Sequence, residues 1–394
     1  MRCLRSFRQM GHSVGSLIYL IRFRRNESLF DIEIIIYKMI DFIKNQHVLR
    51  QLVSSGDDMF ENVHFVRAMG IAGLVGNLHK TYGVRPEELG IPAKALEFPM
   101  TLIPVSVLNQ FYENIELITG DQDAVLNLVS QMSIDRLGSM SRWFFSGHDL
   151  ASTIRRINFG ITCIQSGAFL SGEVVGPIVK WTYYNSSISA AAKADDGVRV
   201  ANFMCNVLKR YLGEEFVPDR VCISGTKSNR SKYEAYFGCP IEWGHNQTEV
   251  WLPNKLRLQG NKIPSLAAEK LSMSFADLDN YLNMPDSQDH MKVLYEVVNY
   301  SRHFGIPTLA KVSELLGLSE QQLQRRLQAS GLNFTSVVGF VLSGEAVKQI
   351  VLGTPMEQIA ESLGYTNMTS FSRMFKKYRG ITPKQYLNNY LSAY

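Results

Sequence analysis

Hydrophobic positions fall into three registers along the chain. From Val63 to about Val175 they recur every three to four residues, which predicts amphipathic helices. Val66–Leu78 is one such stretch; Pro104–Thr119, ended by Gly120, and Asp121–Arg136 are two more, and Leu150–Ser166 is a further one. Tyr82–Ile91, with Gly83, Pro86 and Gly90, reads as a loop, and the glycines of Gly167–Gly176 predict a turn. The period then changes. Val179–Asn185, Val217–Ser224, Pro240–Trp243 and Glu249–Pro253 have strand composition, the last two on either side of a turn at Gly244–Asn246. A long helical stretch, Ala190–Tyr211, and a short one, Ser231–Phe237, lie between them. Helices followed by strands with crossing helices predict an α+β domain.

In the third register one pattern is written twice. The first copy runs from Ile306 to Gly331 and the second from Thr354 to Gly380. Val312 and Leu316 before Gly317 match Ile359 and Leu363 before Gly364; Leu323-Gln324-Arg325 falls on Phe371-Ser372-Arg373. Each copy predicts a short helix, a Gly-led turn and a second helix, the form of a helix-turn-helix. Ser319 with Gln322, Thr354 with Glu357 and Thr382 with Gln385 have the capping-box spacing. Gly331, Gly353 and Gly380 stand where helices should stop.

The two long helices separate their faces at helical spacing. Leu323 and Leu327 point to a core, while Gln321, Gln324, Arg325 and Gln328 share another side. In the second copy Phe371, Phe375 and Tyr378 form the apolar stripe, opposite Thr369, Arg373 and Lys376. Gln beside Arg suits a major groove, because Arg pairs bidentately with guanine and Gln with adenine. For one copy, a solvated face on an ordinary bundle explains the pattern as well; the repetition favours the groove. The helix between the copies, Phe334 to Leu352, spans about 27 Å at about 1.5 Å per residue. Two reading helices held so could enter major-groove segments about 34 Å apart.

Charge sharpens this picture. The chain of 394 residues is long enough for two or three domains. Residues 290–394 hold 11 Lys and Arg against 6 Asp and Glu, whereas the first 289 balance at 30 each. The whole positive excess therefore sits on the repeated motif, as attraction to phosphates requires. Cys3, Cys163, Cys205, Cys222 and Cys239 are odd in number and contain no CxxC pair, which indicates neither a zinc site nor a disulfide framework and suits a reducing cytoplasm. The eight histidines show no HxxxH or HxH pair, so no metal site and no cofactor are expected. Ser16–Ile21, behind Arg2, Arg5 and Arg8, is far short of the roughly 18–20 residues of a bilayer span, so no membrane partner is expected. Residues 1–61 read as a peripheral segment, either a short hairpin or an amphipathic helix.

Candidate chemistry in the first half is thin. Ser146-Gly-His148-Asp149 holds the residue types of a hydrolase triad, but adjacent positions point their side chains apart, and no GxGxxG or Walker loop is present. No catalytic residue is assigned. Trp181, Tyr183, Tyr184, Tyr236, Phe237, Trp243 and Trp251 gather on the strand-like stretches. They fit a sheet core for the most part, or the lining of a ligand pocket. His245 and Arg230 read equally as anchors for an anionic effector or as loop residues.

Residues 290–390 resemble the DNA-binding domain of AraC/XylS transcription regulators. The residues that carry the likeness are LSEQQLQRRL, PMEQIAESLGY, the SFSRMFKKYRG run and ITPKQY. The resemblance implies base contacts from Gln321, Gln324 and Arg325 in the first copy and Met368, Thr369 and Arg373 in the second. Arg326, Lys376, Lys377 and Arg379 are the phosphate candidates. The connecting helix departs from the pattern: it reads FVLSGEAVKQIV where many relatives carry Arg near Leu342 and Ser343. Gly344 within it costs about 1 kcal/mol relative to Ala. More loosely, the first half resembles the arabinose-binding-like effector domain of one AraC-type subgroup. That likeness rests on Tyr82-Gly83-Val-Arg-Pro86, Leu117–Asp121, Tyr236–Trp243 and Leu252-Pro253-Asn254 followed by Leu256.

The expected organisation is an α+β effector-sensing or dimerisation domain over 62–275, a linker over 276–289 around Pro285, and an all-α domain with two helix-turn-helix motifs over 290–394. The resemblance implies double-stranded DNA, RNA polymerase and a small-molecule effector as partners, and a homodimer. The competing readings are an enzyme or a protein-binding adaptor that uses the helical end for targeting.

Overall fold

The computed structural model describes residues 63–260 and 273–392. The expectation for residues 1–61 lies outside them, as does Cys3. The chain divides into two compact units. One contains 63–342 with Ser362–Tyr365; the other contains Ser343–Glu361 with 366–392.

The first unit opens with β1 (Phe65–Arg67), α1 (Ala68–Val75), α2 (Leu78–Tyr82), α3 (Ala93–Leu96), β2 (Leu102–Pro104), α4 (Val105–Thr119), α5 (Ala124–Val129), α6 (Ser139–Phe144) and α7 (Leu150–Ile164). The helical period is borne out with three corrections, the first being that Val66–Leu78 is split between α1 and α2. Residues 65–67 pair antiparallel with 102–104 instead of joining a helix, and 121–136 is not one helix: α5 is followed by a separate 3₁₀ turn at Ile134–Leu137. The motif residues around Tyr82 turn out to lock loops. The Tyr82 hydroxyl donates to Asp121 at 2.6 Å, and Asn127 donates to both groups.

The sheet follows: β3 (Ala168–Val175), β4 (Ile178–Asn185), α8 (Lys193–Leu212), β5 (Arg220–Ile223), α9 (Arg230–Phe237), β6 (Ile241–Trp243) and β7 (Thr248–Pro253). Its order is β3-β4-β7-β5-β6, antiparallel except for the β5–β6 pair. The four expected strands are present. The glycine-rich stretch 167–176 is a correction: most of it is an edge strand, and only Gly176, at φ +57°, makes the turn into β4. Pairing with β4 along eight residues outweighs the weak strand preference of Gly172. Helix α8 lies on β5 and β7. Gly197 permits that approach, since a Cβ there would stand 2.7 Å from Thr248 Oγ1 and 3.1 Å from Ile223.

A buried polar network ties the helices to the sheet. Arg199 pairs with Asp196 at 2.7 Å and donates to the Tyr112 hydroxyl at 2.9 Å and to Gln165 at 3.1 Å. The Tyr183 hydroxyl donates to Asp196 at 2.8 Å. Burial, with Asp196 beside it, holds the Tyr183 phenol well above its usual range.

Then come α10 (Phe275–Leu282) and α11 (His290–Ser301). The segment expected as a linker over 276–289 thus begins inside a helix that packs on α7. Phe275 enters edge-on between Trp143 and Phe159, and the Trp143 indole donates to the Met273 carbonyl at 2.9 Å. Arg67, 2% exposed, donates to the carbonyls of Cys163, Met100 and Leu282, the last at the end of α10. Helix α11 packs on β2. Replacing Arg67 by Met leaves three carbonyls without this donor and should lower the unfolding free energy by about 3 kcal/mol. Urea unfolding of both proteins measures the difference.

Candidate nucleic-acid interface

The first helix-turn-helix consists of α12 (Leu309–Leu315) and α13 (Glu320–Ala329). Thr308 accepts the Lys311 N–H and starts α12. Gly317, at φ +65°, makes the turn. Ser319 and Gln322 form the expected capping box: the Gln322 N–H donates to the Ser319 hydroxyl at 3.2 Å, and the Ser319 N–H to the Gln322 side chain at 2.8 Å. Val312, Leu323 and Leu327 are buried. Gln321, Gln324, Arg325 and Gln328 are exposed together on the opposite side, and Arg326 is half-buried.

Helix α14 (Phe334–Val351) comes next, followed by α15 (Met356–Ser362), α16 (Met368–Arg379) and α17 (Pro383–Ser392). In the turn after α15, Gly364 has φ +84°, and a Cβ there would stand 2.9 Å from the Ile306 nitrogen, so both the conformation and the space require glycine. Asn367 accepts the Ser370 N–H at 2.8 Å and caps α16, a start signal the sequence reading missed. Phe371 and Phe375 are fully buried, and Phe375 meets Tyr386 of α17 edge-on at 5.7 Å. Thr382 and Gln385 bond reciprocally, as their spacing predicts. Gly331, Gly353 and Gly380 all take the left-handed conformation expected at helix ends.

The outer side of α16 carries the second candidate set. Thr369, Arg373, Lys376 and Lys377 are exposed, and Met368 is half-buried. Met368, Thr369, Ser372, Arg373, Lys376 and Thr382 line one open depression. Neither Arg325 nor Arg373 makes a hydrogen bond or ion pair among the described residues. Arg379 differs: its Nε donates to Ser343 at 3.1 Å. A guanidinium from α16 therefore reaches the part of α14 where the sequence departs from the pattern it resembles. Glu345 and Lys348 of that stretch are also turned inward, paired at 2.6 Å and both buried.

The remaining candidates have structural duties. Ser146 donates to the Trp143 carbonyl, and Asp149 caps α7. Trp181, Tyr183 and Phe237 are core residues and Tyr236 and Trp243 pack half-buried against the core, while Tyr184 is exposed and Trp251 lies under Lys180 and Arg220. Tyr183, Tyr184, Lys193 and Asp196 border a cleft with room for about one water molecule. The His245 ring meets the Gln247 carbonyl at 3.1 Å, and Arg230 begins α9.

Known proteins place both halves. Residues 86–259 match the model of the arabinose-binding domain of AraC transcription regulator, and residues 312–389 match the model of a helix-turn-helix domain. An HTH-type transcriptional regulator of Mycobacterium tuberculosis is 26% identical over 147 residues, which cover 37% of this chain and 42% of that protein. The HTH-type transcriptional activator FapR of Escherichia coli is 33% identical over 79 residues, 20% of this chain and 30% of FapR. The chain thus spans less than half the length of these relatives. The crystal structure of the transcriptional regulator CdpR from Pseudomonas aeruginosa aligns with 81% of this chain and 98% of that chain, at 16% identity and a TM-score of 0.40. With an α+β arabinose-binding-type domain ahead of a double helix-turn-helix, the chain belongs to the AraC/XylS family of regulators.

Proposed function

We propose that the protein is a sequence-specific DNA-binding transcription regulator whose first domain senses a small molecule. The observation that carries this reading is the pair of capped helices, α13 and α16, each with a buried apolar stripe and an exposed polar face bearing arginine. An apolar stripe locked in a core fixes the direction of the opposite side chains, which base readout requires. Gln321, Gln324 and Arg325 read one major-groove segment; Met368, Thr369 and Arg373 read another. Arg offers a bidentate fork to guanine, Gln one to adenine, and the Thr and Met side chains contact a thymine methyl. Arg326, Lys376 and Lys377 hold phosphates and set register. Arg379 divides its donors between that task and Ser343.

In this reading 62–275 is the effector domain, 276–289 joins it to the DNA-binding residues 290–394, and two copies associate on a promoter beside RNA polymerase. An effector shifts the DNA-binding state only by binding one arrangement better than another. The contact of α11 with β2 and the hold of Arg67 on α10 offer a route from the first domain to the first helix-turn-helix.

The test begins with an operator selected from random DNA by the full chain. Arg325→Ala and Arg373→Ala should each weaken binding to it by about 1–3 kcal/mol and relax preference at one base position. Undiminished affinity in both variants would remove the contact assignment. Lys376→Ala should weaken binding to all sequences alike and reduce the slope of log affinity against log salt by about 1; titrations at several salt concentrations measure it.

A further inference from the structure

Strand β5 has a parallel neighbour on one side and an antiparallel one on the other. Cys222 therefore pairs with Glu242 of β6 and with Glu249 of β7. Strand alternation puts all three on the face opposite Val221 and Ile223, away from α8. The Cys222 sulfur is 3.7 Å from Glu242 Oε2. His245 stands two residues beyond the end of β6, and its Nδ1 lies 3.9 Å from Glu249 Oε1. One donor atom from each of Cys222, Glu242 and His245 lies within 4.8 Å of the other two.

The two carboxylates and the imidazole around the thiol are also held from behind. Arg220 pairs with Glu242 Oε1, which leaves Oε2 toward the sulfur. The Trp251 indole donates to Glu249 Oε2 at 2.6 Å. The Gln247 carbonyl lies 3.1 Å from His245 Nδ1, the kind of contact that fixes an imidazole tautomer in metal sites. Without a cation the arrangement is unfavourable to the thiolate: burial and the neighbouring carboxylates Glu249 and Glu242 push the Cys222 thiol up to about 12.

We propose that Cys222, Glu242 and His245 form a binding site for one zinc-type divalent cation, with solvent water completing the coordination. Sulfur, nitrogen and carboxylate oxygen together select zinc and its neighbours over magnesium or calcium. Bond lengths of 2.0–2.3 Å place tetrahedral donors about 3.3–3.8 Å apart, so the present spacing closes by about 1 Å through side-chain rotation. Binding converts the thiol to a metal-bound thiolate and releases one proton to solvent. The site lies outside the DNA-reading helices and is independent of the regulatory reading, because it is measured with no DNA present.

The test uses the full chain under reducing conditions, titrated with Co(II) alone. The expected result is one equivalent bound, with a thiolate-to-cobalt charge-transfer band and the intense visible bands of a tetrahedral site, and displacement by Zn(II). Cys222→Ser should abolish the charge-transfer band. His245→Ala changes a half-exposed loop residue; it should keep the native circular dichroism and weaken Co(II) binding at least tenfold. Failure to bind a stoichiometric metal overturns the proposal. So does a charge-transfer band that survives Cys222→Ser, or an affinity indifferent to His245→Ala; the His245 variant decides the matter even if the Cys222 variant misfolds.

Discussion

A single buried guanidinium holds the first unit together at its most consequential point. Arg67 sits in a three-residue strand and donates to carbonyls from the end of α7, from the segment before β2 and from the end of α10. A charge so placed is tolerated only because its donors are used; removing it would leave those carbonyls without their donor. The carbonyl of Leu282 belongs to the negative end of a helix dipole, which adds to its pull on the cation. Asn283 follows in the left-handed conformation and ends α10 there. The chain that continues into α11 therefore leaves the first domain from a fixed position, and α11 returns to lie on β2. The first helix-turn-helix is built on that base.

The second helix-turn-helix is stabilised by different means. Its core is aromatic, with Phe371 and Phe375 buried and Tyr386 closing over them, whereas the first relies on Leu323 and Leu327. Its outer face is also more basic, with Arg373, Lys376 and Lys377 exposed against Arg325 in the first. Buried polar residues on α14 find partners within the same unit, Glu345 in Lys348 and Ser343 in Arg379. No arginine stands on this helix, and Arg379 of α16 is turned toward it.

The sequence alone determined the helix-turn-helix pair, the caps at Ser319 and Thr382 and the exposed faces, though not the cap at Asn367. The reason is that helical order is local: the hydrogen bonds, the capping partners and the facing residues all lie within four positions of one another. Ser319 with Gln322, Thr382 with Gln385 and the stop glycines could be read from spacing because their geometry is written in consecutive residues. Four of the five strands of the main sheet were legible too, since β-branched and aromatic residues mark them.

The tertiary structure decided what depends on distant partners. Residues 168–175 became a strand because β4 pairs along them, against the local preference of Gly172. No spacing announces that β5 lies between β6 and β7, so the row that sets Cys222 between Glu242 and Glu249 appears only once the sheet is assembled. Arg67 finds its carbonyls 33, 96 and 215 residues away. Contacts at such separations are selected by the packing of whole elements, and a linear pattern of polar and apolar residues carries no record of which strand or helix end will be the neighbour.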